Sequence, residues 1–318
     1  MRRLSGQAKG LRRRLSERPF VVLDGGLATT LEARGHDLDG ALWSARLVRE
    51  DPAAVRAVHR EFARAGADCL VTASYQATVE GLQAIGASPG EALDLLRRTV
   101  ELAAAAAGDA AAAGEVAERP LVAASIGPYG AFLADGSEYT GDYGLDRAAL
   151  RAFHQPRWEA LASSCDLLAC ETLPSRLEAE VLLELLAQTP EAGAWFAFSC
   201  RDGHSIADGT PLAECAALCA ESDQVIAVGV NCTAPEFIPP LIDAARTAAP
   251  RLPVVVYPNS GETWDSVAKA WRGDAAPWSE RVGPWWRAGA RMIGGCCRTG
   301  PDDIRAVRAA LARAAESP

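Results

Sequence analysis

Three of the nine cysteines follow apolar runs at positions from which they could bind one metal ion together. Cys232 follows the run QVIAVGVN, and the vicinal pair Cys296 and Cys297 follows RMIGG near the C-terminus. Thiolates bind Zn²⁺ at about 2.3 Å, and a zinc site with three protein ligands leaves a fourth position for substrate. The pattern therefore predicts a zinc site formed by Cys232, Cys296 and Cys297.

The vicinal pair imposes a condition on the backbone. Neighbouring residues of a strand point to opposite faces, so both thiols reach one metal only if the strand has already ended. Gly294 and Gly295 precede the pair and would supply the conformational freedom for that break. Taken alone, the pair could also have a redox or core role. We expect the other six cysteines to be small buried core residues: Cys69, Cys165, Cys170, Cys200, Cys215 and Cys219.

Two carboxylates also follow apolar runs, Asp24 after FVVL and Glu171 after DLLAC. Asp24 could merely cap a helix that begins near Leu27, and Glu171 could cap or pair locally. At one end of a barrel, however, the two would form an acidic pocket suited to an ammonium group. Further candidate substrate-binding residues at such run ends are Gly25, Tyr75, Asn231 and Asn259.

The runs that precede these residues predict a single (β/α)₈ TIM barrel. Eight short, almost continuously apolar segments are typical of parallel strands covered on both faces; they are 20–23, 68–72, 121–126, 166–170, 194–199, 225–230, 253–257 and 291–295. Helical patterns such as 52–65 and 176–188 separate them. Such alternation favours a closed barrel, whose active site lies at the C-terminal ends of the strands.

Composition excludes several classes of partner. The net charge of −9 disfavours nucleic acid or an anionic membrane surface, and no apolar run approaches the roughly 20 residues of a membrane span. Residues 1–18 are basic without an apolar signal core, so we interpret them as an extension or helix outside a barrel domain of residues 19–318. Nine scattered cysteines indicate reduced thiols and a cytoplasmic protein. No pattern predicts an oligomeric state.

Several segments together resemble the homocysteine S-methyltransferases: VLDGGLATTLEARG, LLACETLPS, GVNCT, YPNSGE and GARMIGGCCRT. The loop SIGPYGAFLADGSEYTGDYG is similar to that of members that use S-methylmethionine as methyl donor. The resemblance extends from about Phe20 to about Ala310. It implies a zinc barrel in which Cys232, Cys296 and Cys297 are the ligands. It further implies that Asp24 and Glu171 hold the amino group of homocysteine, with methionine as product.

The chemistry of such a site is consistent with methyl transfer. A free thiol has a pKa of about 8.5, whereas a zinc-bound thiol is deprotonated outright. Three cysteinates and a substrate thiolate give the zinc site an excess negative charge, which would keep the substrate sulfur nucleophilic toward a sulfonium methyl group. Aromatic faces are expected near a cationic donor, and the candidates are Tyr75, Tyr129, Tyr139 and Tyr143.

Other functions remain open from the sequence. The acceptor could be selenohomocysteine or selenocysteine, and the donor could be S-adenosylmethionine or betaine. A metal-free lyase that uses Asp24 and Glu171 as acid and base is a second class. A non-catalytic zinc or thiol sensor is a third. The tryptophan-rich stretch 264–286 has no role that we can assign beyond packing.

Overall fold

The computed structural model describes residues 8–38, 42, 44–265, 270–273 and 279–316. Its strands are β1 (Val21–Val22), β2 (Cys69–Val71), β3 (Leu121–Ile126), β4 (Leu167–Leu173), β5 (Ala194–Phe198), β6 (Val225–Asn231), β7 (Val254–Tyr257), β8 (Thr263–Asp265), β9 (Ala270–Arg272) and β10 (Ala290–Ile293). Its helices are α1 (Lys9–Glu17), α2 (Leu27–Glu32), α3 (Ser44–Glu50), α4 (Pro52–Ala65), α5 (Val79–Ala84), α6 (Pro89–Ala112), α7 (Tyr129–Leu133), α8 (Arg147–Ala162), α9 (Arg176–Ala187), α10 (Leu212–Cys219), α11 (Ile238–Ala248), α12 (Ser279–Ala288) and α13 (Pro301–Glu316).

Eight parallel strands close into one barrel. They pair in the order β1-β10-β7-β6-β5-β4-β3-β2, and a parallel bridge between Leu23 and Cys69 joins the two ends of that order. Across this seam the backbone N–H of Asp24 donates to the carbonyl of Cys69 at 3.2 Å. The predicted (β/α)₈ fold is therefore confirmed. Strands β8 and β9 form a separate antiparallel hairpin that the sequence did not predict.

Burial on both faces explains the apolar runs. Strands β3 to β7 are buried at every residue, so their sequences show no polar alternation. Strand β4 continues through Glu171 to Leu173, although the prediction ended it at residue 170. The polar residues Glu171 and Thr172 ended the apolar pattern but not the strand, because they lie inside the barrel mouth rather than in a solvent-exposed loop.

Helix α4 shows how local sequence sets an element's bounds. Asp51 caps its N-terminus by accepting from the N–H of Ala54 at 3.1 Å, and Pro52 occupies the first turn. Gly66 ends the helix with a φ of 105°. The predicted helix 52–65 is confirmed. Within the described ranges, no helix has the length and apolarity that crossing a membrane requires.

Helix α1 covers the N-terminal end of the barrel. Its Leu11 is buried in the apolar cluster that fills the barrel interior. Arg14 is buried as well, and its guanidinium donates to the backbone carbonyls of Asp68 and Arg119. The basic segment thus contains a helix whose apolar side packs on the barrel. The division of the chain into an extension and a barrel domain stays a prediction.

The tryptophan-rich stretch contributes to packing where it is described. Trp285 is buried in the core, and the indole N–H of Trp286 donates to the carbonyl of Pro19 at 3.0 Å. The hairpin of β8 and β9 lies in the same stretch. Trp278 lies outside the described residues.

A buried polar network anchors the loop between β3 and α8. The carboxylate of Glu178 accepts from the backbone N–H of Tyr129 at 2.7 Å and from the hydroxyl of Tyr143 at 3.1 Å. Nε2 of His154 lies 2.8 Å from the same carboxylate, and Arg157 donates to Nδ1 of that ring at 2.7 Å. Since a guanidinium only donates, Nε2 carries the imidazole proton. Burial lowers the pKa of His154 to about 4, so Glu178 supplies the negative charge that balances Arg157.

We expect Glu178→Ala to destabilise the protein by about 3–5 kcal/mol, because it leaves a buried guanidinium without its balancing charge. The shift in the midpoint of urea unfolding measures this loss. Glu214→Ala is the matched control, since Glu214 pairs with Arg176 on the surface, where ion pairs contribute little. Equal stability of the two variants would contradict the assigned role of the network.

Candidate metal centre and substrate cavity

The three predicted ligand cysteines lie together at the C-terminal ends of the barrel strands. Cys232 directly follows β6, and Cys296 and Cys297 follow β10 after two glycines. Their three Sγ atoms lie within 4.8 Å of one another. The Cα atoms of Cys232 and Cys296 are 5.7 Å apart. The barrel thus brings together thiols that are 64 residues apart in the chain.

Hydrogen bonds to the end of β7 hold both cysteine segments. The N–H of Cys232 donates to the carbonyl of Tyr257 at 3.2 Å, and the N–H of Cys296 donates to that of Pro258 at 2.9 Å. Cys232 has a φ of 46°, a left-handed conformation that non-glycine residues seldom adopt. The chain therefore turns sharply where β6 ends. Because β7 lies between β6 and β10, it fixes the two segments relative to each other.

The glycines before the vicinal pair act differently from the prediction. We expected these glycines to adopt backbone conformations that other residues avoid. Neither Gly294 nor Gly295 has a positive φ, so this expectation is not met. A Cβ atom on Gly294 would lie 2.6 Å from the Cβ of Leu23 and 2.8 Å from the carbonyl oxygen of Asp24. The absence of a side chain thus permits close contact between β10 and the end of β1.

The chemistry of the cluster fits a metal ion. Cysteine thiolates are soft ligands that favour zinc, copper(I) or iron over calcium or magnesium. In the described part of the chain, this is the only group of three or more cysteine, histidine or acidic side chains with ligand atoms so close together. All three cysteines line a cavity, from which a further ligand can approach. The arrangement is a candidate metal centre with one open side.

The cavity beside the cysteines measures 120 Å³ and is acidic. We call it the inner cavity. Asp24 and Glu171 both line it, at the ends of β1 and β4. Among the residues that the structure describes, no arginine, lysine or histidine lines it. The cavity therefore combines carboxylates and thiols without a compensating cation.

Asp24 and Glu171 are held by hydrogen bonds. Asp24 is 3% exposed, and its Oδ2 accepts from the N–H of Val71 at 2.8 Å. Glu171 is 6% exposed and accepts from the hydroxyl of Ser125 and, at 3.0 Å, from that of Tyr257. These contacts orient both carboxylates before any ligand binds.

Burial makes the negative charge of this pair costly. It raises the pKa of Glu171 to about 7. It also raises the pKa of Asp24 well above its ordinary range, and the nearby charge of Glu171 adds to that shift. A bound ammonium group would offset both effects. The structure thus brings the predicted acidic pair into one cavity, where its chemistry suits a cationic ligand group.

Three other predicted residues line the inner cavity, in different ways. Tyr75 forms part of its wall. Gly25 fits because a Cβ there would lie 2.6 Å from the carbonyl oxygen of Thr299. The amide of Asn231 is engaged with Thr172: its Oδ1 accepts from the backbone N–H at 2.7 Å, and its Nδ2 donates to the hydroxyl at 2.8 Å. Asn231 therefore fixes Thr172, whose φ is 57°.

Asn259, the last predicted residue, lines a neighbouring cleft of 550 Å³ rather than the inner cavity. We call this space the outer cleft. The Oδ1 atom of Asn259 is buried without a hydrogen-bond partner. Cys232 and Tyr139 line both spaces, so the outer cleft and the inner cavity meet at the cysteine cluster.

Sequence reasoning missed Glu138, Thr172 and Tyr257 as residues of the inner cavity. Glu138 lies in the loop SIGPYGAFLADGSEYTGDYG, which resembles that of family members that use S-methylmethionine, but nothing in the sequence marked this residue. Of the four tyrosines expected near a cation, Tyr75 and Tyr139 line the cavity. The other two pack against each other with ring centroids 5.5 Å apart, outside both spaces.

Fold and site together define a (β/α)₈ barrel enzyme with a thiol cluster and an acidic cavity at the catalytic end of its strands. The sequence model of the family described as homocysteine S-methyltransferase matches residues 21–311. The chain therefore belongs to the homocysteine S-methyltransferase family.

Individual relatives agree with this assignment. The chain is 48% identical over 307 residues to homocysteine S-methyltransferase of Escherichia coli strain K12, covering 95% of this chain and 99% of that protein. It is 42% identical over 311 residues to selenocysteine methyltransferase of Astragalus bisulcatus, covering 90% and 91%. A crystal structure of the metallated form of the E. coli homocysteine methyltransferase MmuM superposes with a TM-score of 0.86 at 46% identity, covering 95% and 99%.

We expect Cys297→Ser to lose most of its bound metal, because a serine hydroxyl is a poor replacement for a thiolate. Metal per chain is measured by mass spectrometry after reconstitution under reducing conditions. Cys200→Ser is the control, since that thiol lies outside the cluster. One metal per chain in both variants would contradict the assignment of Cys297 as a ligand.

Proposed function

We propose that this protein transfers a methyl group from S-methylmethionine to the thiol of L-homocysteine. The observation that carries the proposal is the shared cavity, which places three clustered thiols beside two buried carboxylates and no cationic side chain among the described residues. Homocysteine combines a thiol with an ammonium group, and these two groups match the thiol cluster and the carboxylates that line the cavity. Family membership supports the same reaction.

The reaction balances without an oxidant or a further reactant. A new bond forms between the sulfur of homocysteine and the methyl carbon, and the bond from that carbon to the sulfonium sulfur breaks. The electron pair of the broken bond returns to the donor sulfur, which becomes a neutral thioether. The thiol proton leaves to solvent. Both products are methionine.

We assign zinc to the cysteine cluster, with Cys232, Cys296 and Cys297 as ligands. The metallated form of the E. coli relative and the sulfur-only ligand set support this choice. The chemistry that zinc supplies when bound is deprotonation of a coordinated thiol near neutral pH. Such ligation requires reduced cysteines, so we place the protein in a reducing compartment, the cytoplasm.

Asp24 and Glu171 would hold the ammonium group of homocysteine. Tyr257 and Ser125 keep the carboxylate of Glu171 in place by donating to it. Asn231 fixes Thr172 in the wall next to Glu171. None of these residues needs to act as a base, so their task is to hold the acceptor sulfur in line with the donor, an effect of orientation.

A selenium acceptor is the second candidate function. The Astragalus bisulcatus relative is named selenocysteine methyltransferase, and the cavity chemistry suits a selenol as well as a thiol. Competition between homocysteine and selenocysteine for one donor measures the preference. We expect homocysteine to have the higher kcat/KM.

The direct test of the proposed function follows methionine formation by the reduced, zinc-loaded protein. With S-methylmethionine labelled in both methyl groups with ¹³C, each turnover should yield two methionines that carry one label each. S-adenosylmethionine and betaine serve as alternative donors in parallel reactions. No methionine from homocysteine with any of the three donors would contradict the proposal.

We expect Glu171→Gln to raise the KM for homocysteine by about 10- to 100-fold, because the variant loses a charged hydrogen-bond acceptor for the ammonium group. Initial rates at saturating donor measure the change. Glu159→Gln makes the same substitution at an exposed position on α8 and should leave KM unchanged. An unaltered KM in Glu171→Gln would remove this residue from the acceptor site.

A further inference from the structure

Glu138 is a buried carboxylate of the inner cavity that the proposed acceptor site does not use. It is 8% exposed, and its Oε2 atom has no hydrogen-bond partner. It lies in a single 3₁₀ turn, Ser137–Tyr139, of the loop between β3 and α8. Buried polar atoms are seldom left without a partner in a folded protein. An unpartnered carboxylate oxygen on a residue that lines a cavity therefore points to a ligand group that completes it.

The surroundings of Glu138 indicate the charge of that group. No arginine, lysine or histidine among the described residues lines the inner cavity or the outer cleft. Burial raises the pKa of Glu138 to about 7, and the negative charge of Asp135 adds to the shift. Among the described residues that line these two spaces, no cationic side chain is therefore present to pair with the ionised carboxylate. A cation is the ligand that such a site favours.

The position of Glu138 separates it from the acceptor carboxylates. Asp24 and Glu171 lie at the ends of barrel strands, whereas Glu138 enters the inner cavity from the loop. Its neighbours Ser137 and Tyr139 line the outer cleft, and Tyr139 lines both spaces. Glu138 therefore lies where the outer cleft meets the inner cavity beside the cysteine cluster, on the side from which a second substrate can approach.

We propose that Glu138 recognises the positive charge on the sulfonium sulfur of the methyl donor. This inference rests on the proposed function, in which a sulfonium compound reacts next to the cysteine cluster. The donor enters through the outer cleft, and the carboxylate of Glu138 attracts its sulfonium centre toward the acceptor sulfur. Tyr139 and Tyr75 add aromatic faces to the same wall, which also favour a cation.

The test compares Glu138→Gln with the wild-type zinc-loaded protein. Glutamine keeps the size and an acceptor oxygen but removes the charge, so we expect the KM for S-methylmethionine to rise by about 10- to 100-fold. The KM for homocysteine, the metal content and the melting temperature should stay unchanged. Asp142→Asn makes the same charge change on an exposed residue of the same loop and should leave the donor KM unaltered.

A neutral analogue identifies which donor charge Glu138 contacts. In 2-amino-5-methylhexanoic acid a CH group replaces the sulfonium sulfur, while the ammonium and carboxylate groups remain. Its inhibition constant, measured against S-methylmethionine, should be the same for wild type and Glu138→Gln. Equal weakening of donor and analogue would show recognition of the ammonium group and overturn the proposal.

Two further outcomes have distinct meanings. An unchanged donor KM in Glu138→Gln, with an active wild type, would overturn the role of Glu138 alone. If the wild-type protein forms no methionine from homocysteine with any sulfonium donor, the proposed function is contradicted. The proposed role of Glu138 is then contradicted as well, because it rests on that function.

Discussion

The register of three neighbouring strands is the constraint on which the site depends. Strand β7 pairs with β6 on one side and β10 on the other, and its C-terminal end accepts hydrogen bonds from both Cys232 and Cys296. A shift of either neighbour by one residue would turn the thiols away from one another. Barrel closure thus fixes the separation of the sulfurs before any ligand binds, and the left-handed conformation at Cys232 completes their convergence.

Uncompensated negative charge is the second organising feature. Asp24, Glu138 and Glu171 line one cavity with the three cysteines. By contrast, the buried guanidinium of Arg157 is linked to the carboxylate of Glu178 through His154. The described lining of the cavity offers its carboxylates no such cation, as expected of a binding site whose ligands bring the missing positive charges. An ammonium group and a sulfonium group would each complete one part of it.

Much of the fold and of the candidate site could be predicted from the sequence, for physical reasons. Parallel strands buried on both faces give apolar runs, and residues that follow such runs meet at one end of a barrel, which located Cys232, Asp24 and Glu171. Glu138 could not be predicted as a cavity residue because it lies in an irregular loop, where no hydrophobic periodicity indicates the direction of a side chain. Asn259 lies in the outer cleft because the turn after β7 sets its direction. The packing role of Gly294 could not be predicted because it depends on contact with Leu23, which lies near the other end of the chain.

The most direct test of the thiol centre is X-ray absorption at the zinc edge of the reduced, zinc-loaded protein. We predict that three sulfur atoms bind the zinc at about 2.3 Å and that their number rises to four when homocysteine is added. A shell dominated by nitrogen or oxygen would contradict the assignment of Cys232, Cys296 and Cys297. A sulfur count that stays the same on addition of homocysteine would contradict the claim that the open side of the cluster receives the substrate thiol.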